Sequence, residues 1–463
     1  MKKILLITLL FIATFTNAQC WESVSVGEGH ALGIKSDGTL WSWGYNNMGQ
    51  LGNGTVGWIS PFPEQVGADT NWAKVHSGLI HCFGIKDDGT LWAWGSNEKG
   101  KLGIGTFTLA MSATPLQVGT STWKMVSSGT NFTIGIRANG TLWGWGENQS
   151  GTVGDGSSID RAAPVLIDAS TNWKMTSSST FRTLAIKEDG TLWGWGSNSS
   201  NRLGFSVGTP ASYMNVVTVP TQIGAATDWK SVASGFAHTI ALKNNNTLWT
   251  WGTGNEGQLG NNSTTTSIPY PLQLGTATDW AFIETEFSSC FAIKADATLW
   301  IWGLNTSGTL GNGNQTNVLN PTQITTENNW LSLSSSNNAT AALKTDGSLY
   351  TWGDNLAYQI GDITVDTETV VVSPLLINTC NLGTEVFNQK SVKLYPNPVQ
   401  NRLYVASEET QSYQIYSILG TKISEGTLVV GGGIDCSGLT RGVYLIALTN
   451  GSGQSSTLKF VKQ

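Results

Sequence analysis

Between residues 20 and 380 apolar and polar positions alternate in short runs, and nowhere do they recur at helical spacing. Leu91-Trp92-Ala93-Trp94-Gly95 is representative. A period of two puts both tryptophans on one face of a strand and the leucine on the other. Trp72–Val75, Cys82–Lys86 and Thr90–Trp94 read as three strands, with Asp88-Gly89 turning between the last two. Asp-Gly between apolar runs marks a tight hairpin, because its central residues take positive φ. The turn recurs at Asp37-Gly38, Asn139-Gly140, Asp189-Gly190 and Asp346-Gly347, and decays to Asn245-Asn246 and Asp296-Ala297.

The Leu-Trp-x-Trp-Gly unit returns with its first aromatic at Trp41, Trp92, Trp143, Trp193, Trp249, Trp300 and Tyr350, at spacings of 51, 51, 50, 56, 51 and 50 residues. A second series, from Trp21 to Trp330, precedes it by about twenty residues. Of the 21 tryptophans, only Trp58 stands outside this register. A period near fifty built from strands alone predicts propeller blades, each burying its faces against its neighbours. The fold class is therefore all-β, a seven-bladed propeller. In six units a Pro-containing strand precedes the Trp by eight or nine residues, as at Pro63 and Pro115; Trp21 lacks one, and Pro374-Leu-Leu-Ile377 lies at the other end. The C-terminal strand is accordingly expected to complete the blade begun at Trp21, closing the ring.

The run Gly-x-x-His-x-x-(Ala/Gly)-(Ile/Leu)-Lys-x-(Asp/Asn)-Gly-Thr-Leu-Trp-x-Trp-Gly, followed by Asn-x-x-Gly-x-Leu-Gly, is read best at Gly27–Gly52 and Gly235–Gly260. It resembles the RCC1 (regulator of chromosome condensation) repeat. The resemblance implies a rigid seven-bladed ring that binds another protein on one face and has no shared catalytic site. The family includes exchange factors for the small GTPase Ran and a secreted bacterial inhibitor of β-lactamases. After about residue 385 tryptophan disappears, and the chain carries Tyr395-Pro396-Asn397-Pro398, Tyr413-Gln-Ile-Tyr416, Gly442-Val-Tyr444 and Lys459-Phe460-Val-Lys462. This tail is similar to the type A sorting domain of the type IX secretion system of Bacteroidetes, which implies a small β-sandwich read by the export machinery. The organisation expected is a signal peptide at 1–18, an RCC1-like propeller at 19–381, a linker at 382–390 and the sorting domain at 391–463.

Composition narrows the function classes. Only 12% of residues are charged and the net charge is -6, so the basic footprint of nucleic-acid binding is missing. Lys2 and Lys3 before the apolar run Ile4–Phe15 and the short residues Thr16 to Ala18 form a secretory signal. No later segment has the length of a membrane span. The expected location is secreted or cell-surface, after passage through the periplasm.

Chemistry is sparse. Gly52–Gly57 formally matches a dinucleotide fingerprint but opens onto Trp58, Ser60 and Pro61 instead of a helix. No catalytic motif, metal set or cofactor site is expected. His30, His81 and His238 share one repeat slot, either as a polar site on the central shaft or as scaffold residues bonded within their own blades. Cys82 and Cys290 share the next slot and read as buried free thiols. Cys20 and Cys380 fall at the two ends of the ring in an oxidising compartment; they form a disulfide, or Cys20 is a free or modified end. Trp58, Tyr213 and Met214 break the repeat on one type of inter-blade loop, either as anchors for a partner or packed back on the blades. The leading expectation is a non-enzymatic scaffold recognising an extracellular protein or glycan; the alternative is nucleotide-exchange activity on a small GTPase.

Overall fold

The computed structural model describes residues 20–57, 59–205, 216–264, 267–362, 364–378, 393–406, 411–417, 422–429, 432–450 and 455–463. Residues 1–18, Trp58, Tyr213, Met214, Cys380 and the 382–390 linker lie outside them. Two compact units, Met1–Leu382 and Gly383–Gln463, make up the chain. The described residues are dominated by strands and include no α-helix.

In the first unit, β1 (Trp21–Val26), β2 (His30–Lys35), β3 (Leu40–Gly44) and β4 (Ser60–Gln65) pair antiparallel in chain order. The same meander recurs around the ring. β5 (Trp72–Ser77), β6 (His81–Lys86) and β7 (Thr90–Ser96) begin blade 2, and the eighteen-residue β8 (Met111–Ser128) finishes it and starts blade 3. The first part of β8 pairs with β7, Trp92 opposite Gln117. Its last part pairs with Phe132–Arg137, Trp123 opposite Arg137. Blades 2 and 3 thereby form one seven-stranded sheet, and the remaining five blades are separate four-stranded sheets.

Each hairpin turn is built as its residues dictate. Asp37 Oδ1 accepts from the Thr39 amide at 3.1 Å and the Thr39 hydroxyl at 2.6 Å. That hydroxyl in turn accepts the Trp41 indole N–H at 2.8 Å. Gly38 has φ +74°, and a Cβ there would lie 2.1 Å from the Thr70 carbonyl oxygen. The decayed turns keep the conformation, with Asn246 at φ 59° and Ala297 at φ 62°.

The three tryptophan series have different tasks. The innermost of each Leu-Trp-x-Trp pair is fully buried, and its indole N–H donates across the blade interface: Trp94 to the Gln50 carbonyl at 3.0 Å, Trp145 to Lys101 at 2.9 Å. The other two series meet edge to face, as Trp72 and Trp92 do at 6.3 Å. A cation lies over both rings. Lys86 Nζ is 4.9 and 4.4 Å from the two centroids and 2.7 Å from Asp69, and the pattern holds from Lys35 to Lys344 with Arg137 in blade 3. Each such contact contributes about 0.5–2 kcal/mol.

The expected closure by strand exchange is corrected. The Pro374 strand, Val371–Asn378, pairs with Leu349–Gly353 and completes blade 7, while the blade begun at Trp21 is completed by β4, with Gln65 opposite Trp41. The Pro strand hydrogen-bonds back to the Leu-Trp-x-Trp strand before it, so the Pro-to-Trp spacing measures the link between blades and not a pairing. The first and last blades meet as any other pair does. The Trp21 amide donates to the Gly347 carbonyl at 3.2 Å, the Val26 amide to Ser334 Oγ at 3.0 Å and the Trp43 indole to the Gln359 carbonyl at 3.0 Å. Cys20 packs on Gly347 at this seam and is disulfide-bonded. Cys82, Cys290 and Cys436 are free and buried, and the chain's remaining cysteine, Cys380, lies outside the described residues.

The second unit contains a three-stranded sheet, Lys393–Tyr395, Arg402–Ala406 and Gly433–Asp435, and a four-stranded one, Lys422–Leu428, Gln411–Ser417, Gly442–Asn450 and Ser455–Lys462. Leu403, Val405, Ile415, Tyr444, Ile446 and Phe460 share its core.

Candidate functional site

The first strand of every blade lines a central channel of about 870 Å³. Four residues beyond the leading Trp, five of these seven strands carry a side chain bonded to the next blade, Ser334 of blade 7 to the Val26 amide among them. Ser25 Oγ accepts the Ser77 amide at 2.8 Å, Ser177 Oγ the Ser234 amide at 2.9 Å, and His76 Nε2 the Ser128 amide at 2.9 Å. Ser127 bonds to Thr176 and Ser178 instead. Two blades break this ring of bridges, with Ala233 in blade 5 and Glu284 in blade 6.

Two residues further on stands Gly27, Gly78, Gly129 or Gly235, and each is required. A Cβ there would lie within 2.0–2.4 Å of His30, His81, Phe132 or His238, whose ring fills that space. Blade 6 reverses the arrangement: the ring is replaced by Ser289, and Glu286 stands where blades 1, 2, 3 and 5 have glycine and blades 4 and 7 have Ser179 and Ser336. Glu284 and Glu286 thus project from the same side of Trp280–Glu286 into the channel wall.

Burial raises the Glu284 carboxyl to about 8, with Glu286 beside it adding in the same direction. Burial likewise raises Glu286 to about 7, opposed by the Phe287 amide and by Arg182. Because both folded-state values lie above the ordinary carboxyl range, the folded protein holds more protons than the unfolded chain between about pH 4.5 and 8, and stability falls as pH rises through that window. Glu284→Gln is expected to flatten the fall, making the variant more stable than the parent at pH 8.5 by on the order of 1–3 kcal/mol and nearly equal at pH 4.5. Thermal melts across pH measure this; parallel curves for the two proteins would contradict it.

The loops that follow these strands ring one mouth of the channel. The slot holds Glu28, Thr130, Thr180 and Asn337 in four blades but Leu79, Phe236 and Phe287 in the others. Phe181, the next residue along in blade 4, is 41% exposed, and Leu79 and Phe236 are each 37% exposed. The Phe236 and Phe287 rings lie 5.1 Å apart, and the Phe236 amide donates to the Phe287 carbonyl at 2.7 Å. Behind them Arg182, fully buried, donates to the carbonyls of Phe236 and His238 at 3.0 and 2.6 Å.

The histidine slot is not on the shaft. His30, His81 and His238 are fully buried between blades, off the channel wall. Nor are they bonded only within their own blades: His30 Nε2 lies 3.1 Å from Cys82 Sγ of blade 2, and His238 Nε2 lies 3.0 Å from Cys290 Sγ of blade 6. Neither ring nitrogen of His81 has a hydrogen-bond partner among the described residues. Burial holds His30 at about 4 and His238 at about 3, and pushes both thiols up. A thiolate–imidazolium pair needs the opposite shifts, so these pairs are suited to packing. Each thiol donates to a loop carbonyl, Gln50 or Gln258, where Thr133, Thr239 and Thr340 use a hydroxyl.

In the tail, Tyr395 stacks on Tyr404 at 5.7 Å, and Pro396, Asn397 and Pro398 are exposed. Asn397 Oδ1 accepts the Val461 amide at 2.9 Å, which joins the two ends of the motif. Gly442 opens a core strand; Tyr444 stacks on Phe460 at 5.6 Å and donates to the Thr440 carbonyl at 2.8 Å. Lys459 pairs with Leu445 through the backbone, and Lys462 Nζ donates to the Gln463 carbonyl. Sequence reasoning passed over Glu284, Glu286, Phe181, Phe236 and Phe287. Aligning the seven first strands on their leading Trp would have found them as departures from serine, glycine and polar loop residues.

The family model described as regulator of chromosome condensation (RCC1) repeat matches residues 37–85, 88–136, 139–186, 189–242, 245–283 and 296–343. The model described as secretion system C-terminal sorting domain matches 393–463. The ultraviolet-B receptor UVR8 of Arabidopsis thaliana is 27% identical over 296 residues, 63% of this chain and 55% of that protein. The protein RCC2 homolog of Xenopus laevis is 26% identical over 290 residues, 60% of this chain and 50% of that one. The chain thus spans about half the length of these relatives. Among solved structures, yeast RCC1 (Prp20) bound to Kap60 aligns with a TM-score of 0.66 at 18% identity, covering 79% of this chain and 86% of that one. Human WBSCR16 aligns at 0.63 and 20%, covering 71% and 88%. Both share the fold. The meander, the turn chemistry and six matched units together place this chain in the RCC1 repeat family, with a type IX sorting domain at its C-terminus that directs it to the cell surface or the medium.

Proposed function

We propose that the exported propeller is a non-catalytic scaffold that binds a protein outside the cell through the channel mouth bearing Phe181, Phe236 and Phe287. The observation that carries this reading is the placement of exposed Phe181 and Phe236 and half-buried Phe287 on the neighbouring blades 4, 5 and 6, with exposed Leu79 on blade 2, where the loops of blades 1, 3 and 7 carry Glu28, Thr130 and Asn337. Exposed aromatics held on a rigid support are the usual anchors of protein interfaces. A sorting tail that takes the chain out of the cell separates it from cytosolic GTPases, which argues against the exchange-factor alternative. The buried cysteine–histidine pairs, with both partners held neutral, offer no nucleophile for a hydrolase.

The test is the double substitution Phe236→Ala and Phe287→Ala in the exported protein. Proteins captured from culture supernatant and surface extracts are identified by mass spectrometry for parent and variant, alongside thermal melts. Capture is expected to fall at least tenfold, about 1.4 kcal/mol or more, with the melting temperature lowered by only a few degrees. Unchanged capture by a folded variant would move the binding face elsewhere, and capture of glycan alone would replace the protein reading.

A further inference from the structure

We propose that the channel wall between blades 6 and 7 is a binding site for an organic cation, a ligand carrying a primary ammonium or guanidinium group, held by Glu284 and Glu286. Where other blades use the Glu284 position to bridge to the next blade through serine or histidine, no hydrogen bond is made to the Glu284 carboxylate among the described residues. Glu286 accepts only the amide of the residue after it, Phe287. The facing strand of blade 7, Trp330–Ser335, contributes no titratable side chain. It does contribute Ser335, 4% exposed on the channel's lining strand, whose hydroxyl has no hydrogen-bond partner among the described residues.

The nearby cations make their hydrogen bonds elsewhere, and Arg182 acts through its charge on Glu286 but not on Glu284. Arg182 is turned to the carbonyls of Phe236 and His238 and to Thr239 Oγ1. Lys230 donates to Asn246 Oδ1 at 2.8 Å, and Lys174 to the Lys230 carbonyl at 3.2 Å. His76 is occupied by the Ser128 amide, and Glu28 is the other carboxylate of the lining. The wall therefore holds two carboxylates and a free hydroxyl against a cavity of about 870 Å³, with no counter-ion assigned to Glu284.

An ammonium group has three N–H donors and no acceptor, which matches two carboxylates and one hydroxyl. A metal ion is a poorer match, since the described residues contain no group of three or more histidine, cysteine or acidic side chains placed to hold one. Burial favours the neutral carboxyls, so a bound cation must draw them into their ionised form; affinity rises with pH between about 6 and 8.5, and binding near pH 7 releases protons. The inference stands apart from the partner reading, because a small amine can occupy this wall with no partner at the mouth.

The cation can come from a free amine or from a basic side chain of a polypeptide. Titration calorimetry of the full exported chain at pH 8 uses cadaverine for the first, and a short lysine-containing peptide with its acetyl-lysine counterpart for the second. Submillimolar binding of either cationic probe is expected, weakened at least tenfold by Glu284→Ser and by Glu286→Gly, which install the residues other blades carry at these positions. Melting temperatures confirm that both variants fold. Tighter binding of cadaverine assigns the site to a free amine, and tighter binding of the lysine peptide over its acetylated form assigns it to a polypeptide side chain. Absence of binding by both cationic probes up to about 10 mM, or binding undiminished in the two folded variants, overturns the proposal.

Discussion

Trp94→Ala is expected to destabilise the propeller by about 3–5 kcal/mol, the largest loss of any single substitution considered. Trp94 is fully buried, meets Trp72 edge to face at 6.1 Å, and packs in one cluster with Leu32, Ile34, Leu40 and Val66 of blade 1. Gly52 lies so close that a Cβ there would be 2.9 Å from the indole nitrogen. The space left by the indole is walled by two blades and a glycine loop whose backbone is pinned by hydrogen bonds, so it cannot collapse without moving both blades. The Gln50 carbonyl keeps one donor, the Cys82 thiol at 3.3 Å, so the loss comes from packing and not from an orphaned acceptor. Denaturant or thermal unfolding measures the effect. A loss below about 1.5 kcal/mol would show that the interface relaxes around the cavity.

Removal of residues 383–463 is expected to abolish delivery to the surface or medium while leaving a folded propeller in the periplasm. Every blade and the seam between blades 1 and 7 are completed within residues 20–378, and the tail has its own core around Tyr444, Ile446 and Phe460. Nothing in the ring's sheets is donated by the tail. The truncated chain should melt within about 2 °C of the parent, because every strand of the ring's sheets is retained, and its extracellular amount should fall at least tenfold. Normal delivery of the truncated protein would remove the sorting role from this segment.

The strand pattern was legible because a two-residue period and a near-invariant spacing between tryptophans, about twenty and then two residues, state the pairing almost directly. What failed were inferences about which strand meets which across repeats. The Pro strand was placed with the Trp that follows it in sequence, although its hydrogen bonds run back to the Leu-Trp-x-Trp strand, as Gln65 opposite Trp41 shows. The family's repeat, such as 37–85, also straddles two blades, so sequence units and sheets are half a step out of phase. The His30–Cys82 and His238–Cys290 contacts were illegible for a related reason, since they link slots fifty-two residues apart in neighbouring blades. Glu284 and Glu286 were visible as letters but not as departures, because a period-two strand on its own gives no sign of which residues border an axial channel. Trp58, Tyr213 and Met214 lie outside the described residues.

Because each blade is one unbroken stretch of chain, and the first and last blades meet without exchanging a strand, blade number is decoupled from sheet integrity. Gain or loss of a whole unit by unequal copying would leave no sheet missing a strand; only the wedge angle between neighbours would need to adjust, through the side chains packed around each interfacial tryptophan. The link between blades 2 and 3, Met111–Ser128, bonds to both sheets, yet Gly119 turns there at φ 60° as Gly67, Gly224 and Gly275 do in other links at φ 64–66°. Such a ring can lengthen or shorten over evolutionary time by whole units, with each new copy free to diverge on its loops while its sheet stays intact.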